Sequence, residues 1–401
     1  MPLHSLMFGW EYPPLHSGGL GVACQGLVRG LMHHGVRVTL VLPTAADEDG
    51  VTTLSPSDEA SIIRYVKSTL QPYEGLEEYA KRVISGGAVG EDIRELYGPD
   101  LGTAVEKFAD MSVAMTSDIQ PDVIHCHDWM TYGAGIRAKA YHKVPLVMHI
   151  HATEFDRTDF HPNQWIAERE RQGFLAADKV IAVSQYTKNV LIKHYGIDPD
   201  KIAVVHNGHD QAMIEHEDTT GDEKRPPLVL FLGRLTIQKN PVQFLEMARV
   251  VHEINPDVQF VMAGDGAMLP ELMEKACHMG LTDCMTFTGR VNRTGVDALY
   301  RQANCFVMPS ISEPFGLVAL EAIGNGVPVI LSKQSGAAEV VEHAFHVDFW
   351  DTERFADCIL TVLREQPLAE QLIAEAPRVL SKLNWQNQSG AVVSLYQDLI
   401  S

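Results

Sequence analysis

Two hydrophobic rhythms take turns along the 401 residues of the chain. Nearly unbroken apolar runs occupy residues 3–9, 36–42, 122–127, 144–151, 179–184 and 202–206, the mark of strands covered on both faces. Between them, apolar residues recur at three- and four-residue spacing over 21–34, 101–117, 163–177 and 185–195, which predicts helices with one buried face, and a further helix is expected to begin near Thr131. The alternation restarts after residue 227, with strands at 228–232, 258–263, 285–288, 305–309 and 327–331 and helices beginning near Pro241, Met268, Thr294, Leu317, Ala337 and Thr352. Strand–helix alternation of this kind predicts parallel sheets clad by helices on both faces, here two doubly wound α/β domains whose crevices lie at the carboxyl ends of the strands and face each other.

The break between the two sets is polar and charged over residues 215–225 and ends at Pro226-Pro227, whose restricted, extended backbone suits a connection. It divides the chain into a first domain over 1–214, a linker over 215–227 and a second domain over 228–384. Trp385 and residues 391–400, with apolar positions at Val392, Leu395, Tyr396 and Leu399, read as a terminal helix. Residues 44–100 do not follow the alternation: turn-rich polar stretches mix with short amphipathic pieces such as 76–84, and an insertion near the cleft mouth is expected there.

Charge narrows the partners. With 32 Lys and Arg against 52 Asp and Glu, the net charge of −20 repels a polyphosphate backbone, so nucleic acid is not expected. No run of 18 apolar residues is present, so a membrane partner is not expected either. The amino terminus has no basic segment ahead of an apolar one, and the six cysteines form no C-x-x-C pair, which together fit a reducing cytoplasm.

Three segments carry candidate chemistry. After the first strand, Gly18-Gly19-Leu20-Gly21 opens into a helix; such a loop lets backbone N–H groups approach an anion closely, although a plain glycine turn would read the same way. The dinucleotide fingerprint begun at Gly19 fails at Cys24, which removes the anchor for hydride transfer. In the second domain Gly233-Arg234 ends a strand and Lys239-Asn240-Pro241 starts a helix, so two cations can converge on a diphosphate; standing alone they would read as a strand-end Arg and a solvated Lys. Glu313-Pro314-Phe315-Gly316-Leu317 then places one carboxylate at a turn, backbone N–H groups at Phe315, Gly316 and Leu317, and a second carboxylate, Glu321, one turn into the following helix. Two carboxylates so placed can accept hydrogen bonds from two sugars; otherwise they are a capping acid and a surface acid.

Histidines gather at two strand ends, His125, His127 with Asp128 and Trp129, and His149 with His151. They could be drawn as a metal cluster, but the H-x-H-x-D-H pattern of binuclear hydrolases fails because Asp128 directly follows His127, and no metal is expected. The two D-x-D strings, Asp47-Glu48-Asp49 and Asp198-Pro199-Asp200, sit in a charged loop and at a turn proline and read as solvated acids.

Taken together, these motifs resemble the retaining glycosyltransferases of the GT-B architecture, and the resemblance covers nearly the whole chain. Asp122-Val123-Ile124-His125-Cys126-His127-Asp128-Trp129 looks like the H-x-H-D-W segment of bacterial glycogen and starch synthases, and Gly18-Gly19-Leu20 looks like their glycine loop. His16 stands where many synthases carry lysine, and Gln334-Ser335-Gly336-Ala337-Ala338 replaces their later Gly-Gly turn, so the nearer resemblance is to the broad fourth family of glycosyltransferases. That resemblance implies roles. Arg234 and Lys239 would neutralise the departing diphosphate of a nucleotide-sugar donor, Glu313 would hold the donor sugar, Glu321 the ribose, and His151 would touch the transferred sugar. Gly18 and Gly19 would face the phosphates, and the backbone at Arg290 and Val291 would frame the base. It also implies a tail, residues 385–401, that packs back on the first domain, and chemistry that needs no cofactor.

The expected activity is transfer of glucose from ADP-glucose or UDP-glucose to a soluble oligosaccharide or small sugar, an α-1,4-glucan first, with Asp128 and Trp129 on the acceptor side. Trp129 could equally be a core anchor. A sugar-phosphate or lipid-linked acceptor is the alternative, and a catalytically silent sugar-binding protein the alternative outside enzymes. The first domain is itself acidic, 20 Lys and Arg against 32 Asp and Glu over residues 1–225, which favours a soluble acceptor over anionic lipid.

Overall fold

The computed structural model describes residues 2–13, 18–43, 51–52, 62–65, 101–209 and 225–401. Two sheets form the frame. The first has strands β1 (His4–Phe8), β2 (Arg37–Leu42), β3 (Val51–Thr52), β4 (Ile62–Tyr65), β5 (Val123–His127), β6 (Leu146–Ile150), β7 (Lys179–Ala182) and β8 (Ile202–Val204), in the order β3-β4-β2-β1-β5-β6-β7-β8. Every pairing is parallel except β3 with β4, an antiparallel pair that extends one edge from within the 44–100 insertion. The second sheet is parallel throughout: β9 (Leu228–Leu232), β10 (Gln259–Ala263), β11 (Met285–Gly289), β12 (Cys305–Met308), β13 (Val329–Ser332) and β14 (Phe345–Val347), ordered β11-β10-β9-β12-β13-β14.

Both orders reverse beside their first strand, between β1 and β5 and between β9 and β12. Crossover helices diverge to opposite faces at such a point and leave a crevice at the strands' carboxyl ends. The helices in chain order are α1 (Gly19–His33), α2 (Leu101–Thr116), α3 (Trp129–His142), α4 (Glu154–Arg157), α5 (Gln164–Ala176), α6 (Gln185–Tyr195), α7 (Pro241–Ile254), α8 (Leu269–His278), α9 (Arg293–Gln302), α10 (Leu317–Gly324), α11 (Thr352–Arg364), α12 (Gln366–Ala374), α13 (Ala376–Lys382) and α14 (Trp385–Ile400). Each sheet is buried on both faces, so the sequence shows continuous apolar runs rather than alternation.

The last helix crosses back to the first domain, as expected. Trp385, Val392 and Tyr396 on α14 are buried with Ala23, Leu27 and Leu31 of α1 in one core cluster. The fit depends on two glycines: a Cβ on Gly26 would lie 2.1 Å from the Trp385 ring, and one on Gly30 would lie 2.4 Å from Ser389 Oγ. The chain passes between the domains at a second place, where His209 N donates to Leu383 O (2.6 Å) just ahead of α14.

Several local expectations need correction. The helix after β5 begins at Trp129, not Thr131, because Asp128 itself makes the turn out of the strand. No α-helix begins at Ala337; residues Gly336–Glu339 form a single 3-10 turn, and the chain continues into β14, which is too short to show a hydrophobic period. Helices α12 and α13 were not anticipated, although Pro367 and Pro377 stand in their first turns, where proline is favoured. The amphipathic piece at 76–84, Asp47-Glu48-Asp49 and most of the linker lie outside the described residues. Asp198-Pro199-Asp200 begins a 3-10 turn at the amino end of β8, on the side of the sheet away from the cleft.

Candidate active site

On the first domain, sheet geometry assembles a column of four histidines. Residues two apart on a strand share a face, and His127 on β5 pairs in register with His149 on β6, so His125, His127, His149 and His151 all lie on one side. Neighbouring rings in the column stand 4.4–5.3 Å apart. His125 Nδ1 meets Tyr396 OH at 2.5 Å and its Nε2 meets His149 Nδ1 at 3.2 Å, while His127 Nδ1 meets His151 Nε2 at 3.0 Å. Burial, then the neighbouring imidazoles, holds His125, His127 and His149 well below the usual range. Burial and then Arg157 bring His151 down to about 3, so the column is neutral at physiological pH. His127 Nε2, His149 Nε2 and His151 Nδ1 have no hydrogen-bond partner among the described residues.

Asp128 ties this column to the next element. It adopts φ +57°, an unusual conformation for a non-glycine residue, and its two carboxylate oxygens accept from His151 N (2.7 Å) and Arg157 Nη2 (3.0 Å). Among the described residues, Arg157 is the one cation facing four buried acids: Asp128, Glu154, Asp156 and Glu170. Burial raises all four, Glu170 to about 8, against the opposing pull of Arg157 and local hydrogen bonds. Trp129 is 3% exposed and packs edge-on with Trp165 at 5.6 Å. Its ring offers no face to a sugar, so the core-anchor reading holds.

On the second domain, the residues singled out in the sequence collect at the β9/β12 crevice. Gly264, at φ +141°, packs so tightly against the loop after β9 that a Cβ there would lie 1.9 Å from Gly233 O. Leu235 N donates to Asp265 O (2.9 Å), fixing the strand end from which Arg234 projects. Arg234 is exposed and makes no ion pair among the described residues. Lys239 Nζ forms an ion pair with Glu313, whose carboxylate also accepts from Ser310 Oγ (3.2 Å) and is 5% exposed. Gly316, at φ +99°, caps α10, and its carbonyl accepts from Ala319 N (3.0 Å) in that helix's first turn. The Phe315 side chain is buried, its ring tilted against His206 at 5.7 Å, leaving its backbone as its polar contribution. Glu321 is held by Arg293 Nη1 (2.9 Å) and Tyr300 OH (3.3 Å). Arg290 and Val291 follow the end of β11, ahead of the Asn292 cap of α9.

The two halves meet. A Cβ on Gly19 would lie 3.9 Å from Leu317 Cδ1, so the glycine loop of the first domain faces the E-P-F-G-L turn of the second. Asp156 accepts from Ser312 Oγ (2.5 Å), and Tyr186 OH lies 2.9 Å from the same hydroxyl. Glu339 accepts from the first two N–H groups of α6, Gln185 (2.9 Å) and Tyr186 (2.5 Å), a carboxylate seated on a helix N-terminus across the domain boundary.

Residues 17–212 match the family model described as Glycosyltransferase Family 4, and residues 213–379 match that described as Glycosyl transferases group 1. The chain is a GT-B glycosyltransferase of the fourth family. Relatives span this glycosyltransferase end to end. An uncharacterized glycosyltransferase of Methanocaldococcus jannaschii is 28% identical over 98% of this chain and 97% of its own, and a glycogen synthase of Mycobacterium tuberculosis is 27% identical over 98% and 94%. The solved structure of a sucrose-phosphate synthase from Thermosynechococcus elongatus shares the fold, with a TM-score of 0.79 at 20% identity over 100% of this chain and 99% of that one.

Sequence reasoning missed the contacts that complete the glycosyltransferase cleft. Ser312, Asp156, Tyr186 and Glu339 carry no motif signal, because they act by meeting across two domains. Gly264 and Gly266 did carry one, a G-x-G directly after a strand. Ring nitrogens of His125, His127 and His149 lie within 4.8 Å of one another, the one group among the described residues spaced to hold a metal ion. A tetrahedral zinc ion holds its nitrogens roughly 3.4 Å apart. The cluster would therefore have to contract and give up the His125–His149 hydrogen bond.

Proposed function

We propose that the chain transfers glucose from a nucleoside diphosphate to the hydroxyl of a soluble saccharide with retention at the anomeric carbon, an α-1,4-glucan being the preferred acceptor. The observation that carries this reading is the Lys239–Glu313 ion pair, set beside exposed Arg234 and opposite the Gly18-Gly19 loop. A donor diphosphate entering this crevice competes for Lys239, and Arg234 adds a second positive charge. Glu313 is thereby released to accept hydrogen bonds from the donor sugar. The pair thus couples phosphate binding to sugar binding, and neither charge stands unpaired before the donor arrives.

In the transfer, the bond between the anomeric carbon and the β-phosphate oxygen breaks, and the acceptor oxygen bonds to that carbon on the same face. The acceptor proton passes to the departing phosphate, whose charge Arg234 and Lys239 stabilise as it develops. Neutral His151 can hydrogen-bond the transferred sugar without adding a competing positive charge near the anomeric centre. Glu321 binds the ribose once Arg293 and Tyr300 give way, and the backbone at Arg290 and Val291 frames the base.

The glucan preference is supported by the H-x-H-D-W segment and by end-to-end similarity to a glycogen synthase. Among the described residues no helix is long and apolar enough to cross a membrane, and all six cysteines are free, which supports a reducing cytoplasmic setting. The test is a screen of ADP-glucose and UDP-glucose against maltooligosaccharides, monosaccharides and sugar phosphates, read by product mass. Maltooligosaccharides one or more hexoses longer support the reading; glycosylation of sugar phosphates alone overturns the glucan acceptor.

A further inference from the structure

Trp165 opens α5 at the carboxyl rim of the first sheet and is 40% exposed, unusual for a side chain of its size. Its ring is nonetheless held. The Arg169 guanidinium, one helical turn on, lies 3.6 Å from the ring centroid, and the Trp129 ring meets it at 5.6 Å and 84°. Asn163 Oδ1 accepts from Trp165 N (3.0 Å), which fixes the backbone. Trp129 directly follows Asp128, and Asp128 holds the backbone of His151, so the exposed ring stands one aromatic neighbour away from the candidate active site.

The charges around the ring are spent. Arg169 bonds Glu106 (2.7 Å), and Arg137 bonds Glu106 (3.0 Å) and Asp110 (3.2 Å). Neither of these arginines is left unpaired for a phosphate. One face of the ring lies under Arg169, and the exposed remainder, fixed and with exposed Gln164 beside it, matches the C–H face and hydroxyl edge of a pyranose. We propose that Trp165 is a stacking platform for a neutral glucosyl unit of the acceptor chain, a subsite outside the donor crevice that favours a glucan over a phosphorylated acceptor. This inference rests on the saccharide-acceptor reading above.

The test uses the full chain and maltoheptaose, with Trp165→Ala and Trp165→Phe compared with wild type. Trp165→Ala should raise the acceptor KM roughly five-fold, the equivalent of an aromatic stack of about 1 kcal/mol where 1.4 kcal/mol is ten-fold. The donor KM should not move, the circular dichroism spectrum should stay that of a folded protein, and Trp165→Phe should recover part of the loss. A wild-type enzyme that elongates maltoheptaose while Trp165→Ala keeps the same acceptor KM overturns the platform alone. A wild-type enzyme that glycosylates only phosphorylated or lipid acceptors overturns the saccharide reading and the platform together.

Discussion

Ser312 donates its hydroxyl to Asp156 across the interdomain cleft at 2.5 Å, one residue ahead of Glu313. The first domain therefore bears directly on the turn that carries the proposed sugar-binding carboxylate. Ser312→Ala removes that bond and leaves Tyr186 OH facing a methyl group. Turnover should fall roughly ten-fold, in line with one buried hydrogen bond to a charged group, while nucleotide affinity, measured by calorimetry, stays close to wild type. An equal loss of nucleotide affinity would place the effect in the donor crevice instead.

Lys239→Ala should reduce kcat by about 10²–10³, because a charge-assisted contact to the leaving diphosphate acts mainly in the transition state. Since the change also leaves Glu313 buried without its cation, the circular dichroism spectrum and melting temperature are measured alongside. Unchanged turnover in a folded variant contradicts the phosphate role.

Glu170 gives a pH prediction with a definite sign. Burial pushes its carboxyl up to about 8 in the fold from an ordinary 4.5, so between those values the folded state holds a proton that the unfolded chain releases. Stability from this group therefore falls as pH rises from about 4.5 to 8. Glu170→Gln keeps an acceptor for Glu154 N, lacks the titration, and should be the more stable protein at pH 8, with the gap closing toward pH 5. Denaturant unfolding at the two pH values reads it directly.

Much of this was legible in the sequence because the chemistry follows the topology. Strands buried on both faces print as apolar runs, and the turns after β9 and β12 carry Arg234, Lys239 and Glu313 at fixed spacings. What stayed hidden depends on register or on distance. The His127–His149 pairing that builds the imidazole column needs the alignment of β5 on β6, and the Trp129 ring could be placed in the core only once α3 and α5 were packed together. Short elements such as β14 hold too few residues to show a period.

The α1–α14 contact predicts a sharp structural failure. Gly26→Val places its side chain in the Trp385 ring and should cost about 1–3 kcal/mol in denaturant unfolding, as overpacked cores do. The same substitution at Gly35, where a Cβ meets nothing within 4 Å but φ is +76°, tests backbone strain instead of packing.

The crevice of Lys239 and Arg234 is proposed to support transfer of glucose to a glucan without a metal. The most direct test is a single reaction of wild-type enzyme with nucleotide-glucose and maltoheptaose in excess EDTA, followed by NMR of the new anomeric proton and by nucleoside diphosphate release. The expected result is an α-linked product one or more hexoses longer, with one nucleoside diphosphate released per glucose added. A β-linked product, or activity that disappears in EDTA and returns with a divalent metal, contradicts it.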